Sequence, residues 1–235
     1  MISVENLQFK YPRSDFALQV PSLKISPGDR VAIVGPSGSG KTTLLNLISG
    51  IATPDQGTIT VGEINLPKLS EKQRRDFRIS QIGFVFQKFE LLDYLNVKDN
   101  ILLPFLINDS LMLSSEVIER AESLTTQMGI KNKLNRRSDQ LSQGEQQRVA
   151  ICRALITQPN LILADEPTGN LDPNNKKLIL DLLFHQATEN KQTLIVVTHD
   201  MTLIDRFDTV VNFEEFLAEA QRSNGKESRT EDSTS

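Results

Sequence analysis

Gly35-Pro36-Ser37-Gly38-Ser39-Gly40-Lys41-Thr42-Thr43 stands between the apolar run Arg30-Val31-Ala32-Ile33-Val34 and the aliphatic run Leu44-Leu45-Asn46-Leu47-Ile48. The first run predicts a buried strand and the second the opening turns of a helix. A glycine-rich turn from strand into helix lets successive backbone N–H groups converge on one point, and the helix dipole adds partial positive charge there. That is an anion site. The stretch also fits G-x-x-x-x-G-K-[ST], a loop whose backbone cradles phosphates. Nucleotide binding is therefore expected through Gly35, Pro36, Ser37, Gly38, Ser39, Gly40, Lys41, Thr42 and Thr43. Lys41 is expected to reach the β- and γ-phosphates, and the Thr42 hydroxyl to ligate Mg²⁺.

A chain of 235 residues, 38% of them hydrophobic, suits one large domain, or a domain with an inserted subdomain, around a sizeable core. Its net charge of −4 argues against a general nucleic-acid binder, which would carry a basic face. The single cysteine, Cys152, excludes an intrachain disulfide framework and suits a reducing compartment. Its setting, Val149-Ala150-Ile151-Cys152-Arg153-Ala154-Leu155, predicts a small buried helix residue rather than a nucleophile. Met1-Ile2-Ser3-Val4-Glu5-Asn6 lacks the basic and apolar regions of a signal peptide, and no apolar run approaches the ~20 residues of a membrane-spanning helix. A cytosolic location is expected unless a membrane partner holds the chain.

The first third reads as β-rich. Residues 2–11 and 16–25 alternate apolar and polar, and Pro27-Gly28-Asp29 turns into the strand that feeds the loop. A short strand is expected at 58–61, a charged helix at 71–77 and a strand at 82–87. From 97 to about 157 the period becomes helical, with helices expected at 97–103, 115–128 and 142–155. Strands return at 161–164 and 193–197 around a helical pattern at 174–188, which predicts βαβ units and a parallel sheet. Both late runs are apolar on consecutive residues, as strands covered on both faces are. Residues 222–235 hold no aliphatic or aromatic side chain and are expected to be disordered.

Two further motifs carry chemistry. Leu161-Ile162-Leu163-Ala164-Asp165-Glu166 puts two carboxylates at the C-terminal end of a strand, the ligand edge of a parallel sheet. There Asp165 is expected to hold Mg²⁺ and Glu166 to polarise an attacking water. In Leu141-Ser142-Gln143-Gly144-Glu145-Gln146-Gln147-Arg148, Ser142 and Gly144 open a helix, so a hydroxyl, backbone N–H groups and a dipole meet at a second anion site. Ser142 and Glu145 also satisfy a capping box, and the two roles are compatible.

This last stretch resembles the signature sequence of ATP-binding cassette (ABC) ATPases, whose common form is L-S-G-G-Q. Gln143 and Glu145 depart from that form. The resemblance implies a nucleotide sandwiched between two copies of the chain and brings further residues into register. Gln87 matches the Q-loop glutamine, a Mg²⁺ ligand and contact to the attacking water. His199, in Val197-Thr198-His199-Asp200, matches the switch histidine at the γ-phosphate; His185 has no such setting and reads as structural. Asp172, in Asn170-Leu171-Asp172, matches the D-loop that crosses to the partner subunit, and is counted with the nucleotide-binding residues. Tyr11 matches the aromatic that stacks on adenine; strand parity with Phe9 is expected to send only one of the two, Tyr11, toward the ligand.

The resemblance covers residues 2 to about 213 and is similar in type to lipoprotein-release and macrolide-efflux ATPases, through Gly83-Phe84-Val85-Phe86-Gln87, Asp99-Asn100-Ile101-Leu102-Leu103-Pro104 and Ala164-Asp165-Glu166-Pro167-Thr168-Gly169-Asn170-Leu171-Asp172. It implies an α/β fold: a P-loop NTPase (RecA-like) core with an N-terminal antiparallel β-subdomain and an inserted α-helical subdomain. A single ABC ATPase domain is expected over 1–221, with core and β-subdomain at 1–87 and 157–221 and the helical subdomain at 88–156. It further implies ATP and Mg²⁺ as cofactors, a second and identical ATPase subunit, and a transmembrane permease partner at the cytoplasmic face of a bacterial inner membrane. In that partnership the surface at 88–96 would press on a cytoplasmic helix of the permease. The segment 44–140 is too short for the coiled coil of DNA-repair cassettes, and one cassette speaks against the ribosome-acting type, which carries two. A regulatory ATPase that acts through a membrane partner without moving a substrate is the nearest alternative.

Overall fold

The computed structural model describes residues 1–14, 16–169 and 171–216; the polar tail at 222–235 and Asn170 lie outside them. In chain order the strands and helices begin with β1 (Ile2–Lys10), β2 (Ala17–Ile25), β3 (Arg30–Val34) and α1 (Lys41–Ile48). There follow β4 (Gln56–Val61), β5 (Ile64–Asn65), α2 (Glu71–Gln81) and β6 (Ile82–Val85). The helices α3 (Val97–Leu106), α4 (Ser115–Gln127) and α5 (Gln143–Leu155) come next. After these come β7 (Leu161–Asp165), α6 (Pro173–Glu189), β8 (Thr193–Val197) and β9 (Thr209–Asn212).

One sheet, ordered β2-β1-β4-β5, is antiparallel; the other, ordered β6-β7-β8-β3-β9, is parallel throughout. Alternation along the parallel strands explains their unbroken apolar runs. Ala32, Ile162, Ala164, Leu194 and Val196 face a core shared with α3 to α6, whereas Val31, Ile33, Leu161, Leu163, Ile195 and Val197 face a second core with α1 and the antiparallel sheet. Each fully buried aliphatic side chain in these cores contributes about 1.5–3 kcal/mol over an exposed one. Parallel strands share a direction, so β3, β6, β7 and β8 deliver their following residues to one edge. That edge receives the phosphate-type loop, Gln87, Asp165-Glu166 and His199.

Helix starts follow from capping. Ser70 and Gln73 form a capping box at α2, and Asn96 accepts the Asp99 N–H at α3. Asn100, fully buried, accepts the Leu92 N–H and donates to the Leu92 and Leu95 carbonyls, so it ties down the loop ahead of α3. Two strands escape the sequence pattern. β5 is only two residues long, and β9 is a partly exposed edge strand paired to β3 alone. Such short, half-covered strands carry too little apolar periodicity to register.

The β3–β9 pairing is pinned at its start by Asp208. Its carboxylate accepts from the Arg30 backbone N–H at 3.0 Å, from Nε at 2.9 Å and from the terminal guanidinium nitrogen at 2.6 Å. These bonds hold its pKa down, to about 2. A depressed carboxylate pKa lends stability that is present above about 3.8 and disappears as pH falls through about 2. The thermal midpoint of Asp208→Asn is therefore expected to lie below that of the parent near neutrality, and the gap to close between pH 4 and pH 2. A gap unchanged by acid would disprove the linkage.

Candidate active site

α1 starts differently from α2, α3 and α5. Its N-cap is Gly40, in the left-handed region at φ 106°, and no side chain caps its first N–H groups. Those donors are left for an anion, whereas Ser70, Asn96 and Ser142 cap α2, α3 and α5. Glycine is required at two points of the loop. A Cβ at Gly40 would lie 2.7 Å from the Phe16 ring, and one at Gly35 would lie 2.9 Å from Phe213 Cβ. The loop is thus packed closely against Phe16 and Phe213.

Lys41 folds back over this loop. Its ammonium donates to the carbonyls of Gly35 at 2.9 Å and Pro36 at 2.7 Å and lies 3.4 Å from the Ser39 hydroxyl. Burial lowers its pKa, and the Glu166 and Asp165 carboxylates partly offset that. The Thr42 hydroxyl donates to Asp165 at 2.8 Å. Asp165 is itself pushed above the usual carboxylate range, first by burial and then by Glu166, against the pull of Thr42 and Lys41. A hydroxyl, a carboxylate and the amide of Gln87 are the hard oxygen donors that suit Mg²⁺, which takes few protein ligands when phosphates supply the rest.

Glu166, the residue after β7, has a left-handed backbone conformation, φ 44°, and its N–H bonds the Val197 carbonyl. Its two carboxylate oxygens are shared out: Gln87 Nε2 approaches one at 3.3 Å and His199 Nδ1 the other at 3.0 Å. An unfavourable φ on a non-glycine residue persists only where surrounding contacts hold it. The result is a carboxylate aimed into a cleft of about 490 Å³, lined by Tyr11, Ser37, Gly38, Gly40 to Thr43, Gln87, Asp165, Glu166 and His199. Such a carboxylate can accept a proton from a water held beside phosphate.

Tyr11 reaches the cleft for a reason other than parity. Residues 9 and 11 share a face of an extended strand, so alternation cannot separate them. Instead β1 ends at Lys10; Phe9 stays in the core while Tyr11 turns outward, edge-on to it at 4.7 Å. Tyr11 Oη lies 3.4 Å from Thr43 Oγ1. Phe16, 6.1 Å from Tyr11 and also lining the cleft, was not legible as a site residue; its signal was only an aromatic placed just before β2.

Ser142 and Gly144 are not brought into this cleft. Ser142 caps α5, bonded reciprocally with Glu145, and Gln143 is exposed beside it. Asp172 accepts from the Asn175 backbone N–H at 3.2 Å and from its side-chain amide at 2.5 Å. Arg153 of α5 is a second residue the sequence did not single out. It donates to the carbonyls of Phe89 and Glu90, both at positive φ, and so ties the segment after Gln87 to the helix that Ser142 begins. Burial lowers its pKa to about 10. Cys152 is wholly buried, and burial raises its pKa, so its thiol is inert.

Comparison with known proteins supplies the context. The family model described as ABC transporter matches residues 18–169. The lipoprotein-releasing system ATP-binding protein LolD of Legionella pneumophila (strain Lens) is 43% identical over 189 residues, 80% of this chain and 82% of that protein. The ABC transporter ATP-binding protein YxdL of Bacillus subtilis (strain 168) is 43% identical over 83% of this chain and 75% of its own length. Among solved structures, the dimeric post-hydrolysis state of the ATP-binding cassette MJ0796 bound to ADP and Pi superposes with a TM-score of 0.81. It is 34% identical and covers 90% of this chain and 94% of that one.

Proposed function

The chain belongs to the ABC transporter family, as an ATP-binding and ATP-hydrolysing subunit, and from that premise we propose how its residues divide the work. Two copies close head-to-tail, and each active site takes Lys41, Thr42, Gln87, Asp165, Glu166 and His199 from one chain and Ser142 and Gly144 from the other. The observation that carries this reading is the placement of Ser142 and Gly144 outside a cleft that gathers all the rest.

In this scheme Tyr11 stacks on adenine, and the uncapped N–H groups of α1 with the loop backbone hold the phosphates. Lys41 exchanges its carbonyl contacts for phosphate oxygens. Thr42, Asp165 and Gln87 hold Mg²⁺, which would offset charge on the β- and γ-phosphates. Glu166 accepts a proton from water, oriented by Gln87 and His199. Asp172 crosses to the second subunit.

A groove of about 240 Å³ beside the segment at 88–96 is lined by Phe84, Phe86, Leu103, Pro104 and Ile107. With that segment it is an apolar seat for a permease's cytoplasmic helix, which would place the subunit on the cytoplasmic face of the inner membrane. Among the described residues no helix is long and apolar enough to cross a membrane. The permease would export or extract lipoprotein, lipid or drug; the names of the LolD relatives favour lipoprotein.

The composite site is tested by mixing two inactive variants. Lys41→Met and Ser142→Arg chains should each be nearly inactive, while their mixed dimer regains one complete site and measurable ATPase activity. Activity of the mixture no greater than the sum of its parts would overturn the head-to-tail arrangement.

A further inference from the structure

We propose that Lys133 is a positioning residue for the signature serine: by holding and neutralising Glu145 it frees the Ser142 hydroxyl for a phosphate of the second subunit's nucleotide. The inference rests on the composite-site reading above. Lys133 ends the short 3₁₀ turn Lys131–Lys133 between α4 and α5, and its Nζ lies 3.1 Å from Glu145 Oε1. The other oxygen, Oε2, accepts from the Ser142 backbone N–H at 2.8 Å and from the Ser142 hydroxyl at 3.1 Å. Ser142 Oγ in turn accepts the Glu145 N–H at 3.3 Å.

The lysine and glutamate side chains are only 23% and 19% exposed, so their pairing is shielded more than that of an ordinary surface bridge. The Ser142 and Lys133 contacts together also hold the carboxylate below its usual range.

A serine hydroxyl has one proton, and here Glu145 receives it. Donation to a phosphate requires that proton to turn away, which leaves a carboxylate bonded to the same residue that approaches the anion. Two costs follow if the carboxylate is unpaired: it competes for the hydroxyl proton, and it repels the phosphate. Lys133 reduces both. A neutral glutamine at 145 would raise neither difficulty, so the lysine is needed because a glutamate stands there.

That dependence makes the inference testable by a mutant cycle. In full-length chains carrying Glu166→Gln, the ATP concentration giving half-maximal dimerisation is read by size exclusion with light scattering. Lys133→Met should raise it about tenfold, the scale of a close charge pair at an interface, and Lys133→Arg should leave it within about twofold. Adding Glu145→Gln to Lys133→Met should restore the value of Glu145→Gln alone. Nucleotide binding to the monomer, read with a fluorescent ATP analogue, should not move across the series, since Lys133 does not line the cleft.

A parent-like Lys133→Met, or a double variant as weak as the single, would overturn the proposal while leaving the composite site standing. If the Glu166→Gln parent stays monomeric at saturating ATP, the composite-site reading falls and this inference with it.

Discussion

Glu166→Gln is expected to bind ATP as the parent does while its turnover falls by about 10³-fold, the scale of a lost general base. The amide keeps the side chain's length and its place at the end of β7. It also leaves the φ of 44° no harder to adopt, because glutamine and glutamate pay the same conformational cost there. What disappears is the basic carboxylate, whose two oxygens Gln87 and His199 now hold at 3.3 and 3.0 Å respectively. Equilibrium ATP binding and single-turnover hydrolysis, measured on the same preparation, separate the two effects. Turnover at the parent rate would remove Glu166 from the chemistry, and lost binding would assign it to the phosphate cradle.

Lys41→Met should behave in the opposite way: ATP affinity falls by about 100-fold, as expected for loss of charge-assisted bonds to phosphate. Methionine replaces a largely buried ammonium by an apolar chain of similar length. Burial already lowers the Lys41 pKa, so its charge is not kept there for the sake of the fold. The thermal midpoint without nucleotide should accordingly stay near that of the parent, while the upward shift produced by ATP is lost. Calorimetric titration reads the affinity directly. Parent-like ATP binding would sink the assignment of Lys41 to the phosphates.

Much of the fold was legible because its signals are local. The strands 30–34, 161–165 and 193–197 announce themselves as consecutive apolar residues, since both faces of the parallel sheet are covered. The loop from Gly35 to Thr43 is written contiguously, as are Asp165-Glu166 and the capping box of Ser142 and Glu145. β5 and β9 were not legible, being too short or too exposed to leave a period. Tyr11 shows a different failure: alternation described β1 correctly but said nothing of where β1 ends.

Residue order alone supplies the chemistry on offer: a glycine-rich loop with Lys41 and Thr42, paired carboxylates, a capped signature helix, and one glutamine and one histidine after strands. Which of these groups meet follows from the folding of the chain. Gln87, Glu166 and His199 are 79 and 33 residues apart along the chain, yet they share hydrogen bonds because parallel strands end at one edge. The same topology leaves Ser142 outside that edge and gives its hydroxyl to Glu145, beside Lys133. Neighbourhood along the chain is set by covalent order, whereas neighbourhood in the site is set by strand direction and by burial on both faces of one sheet.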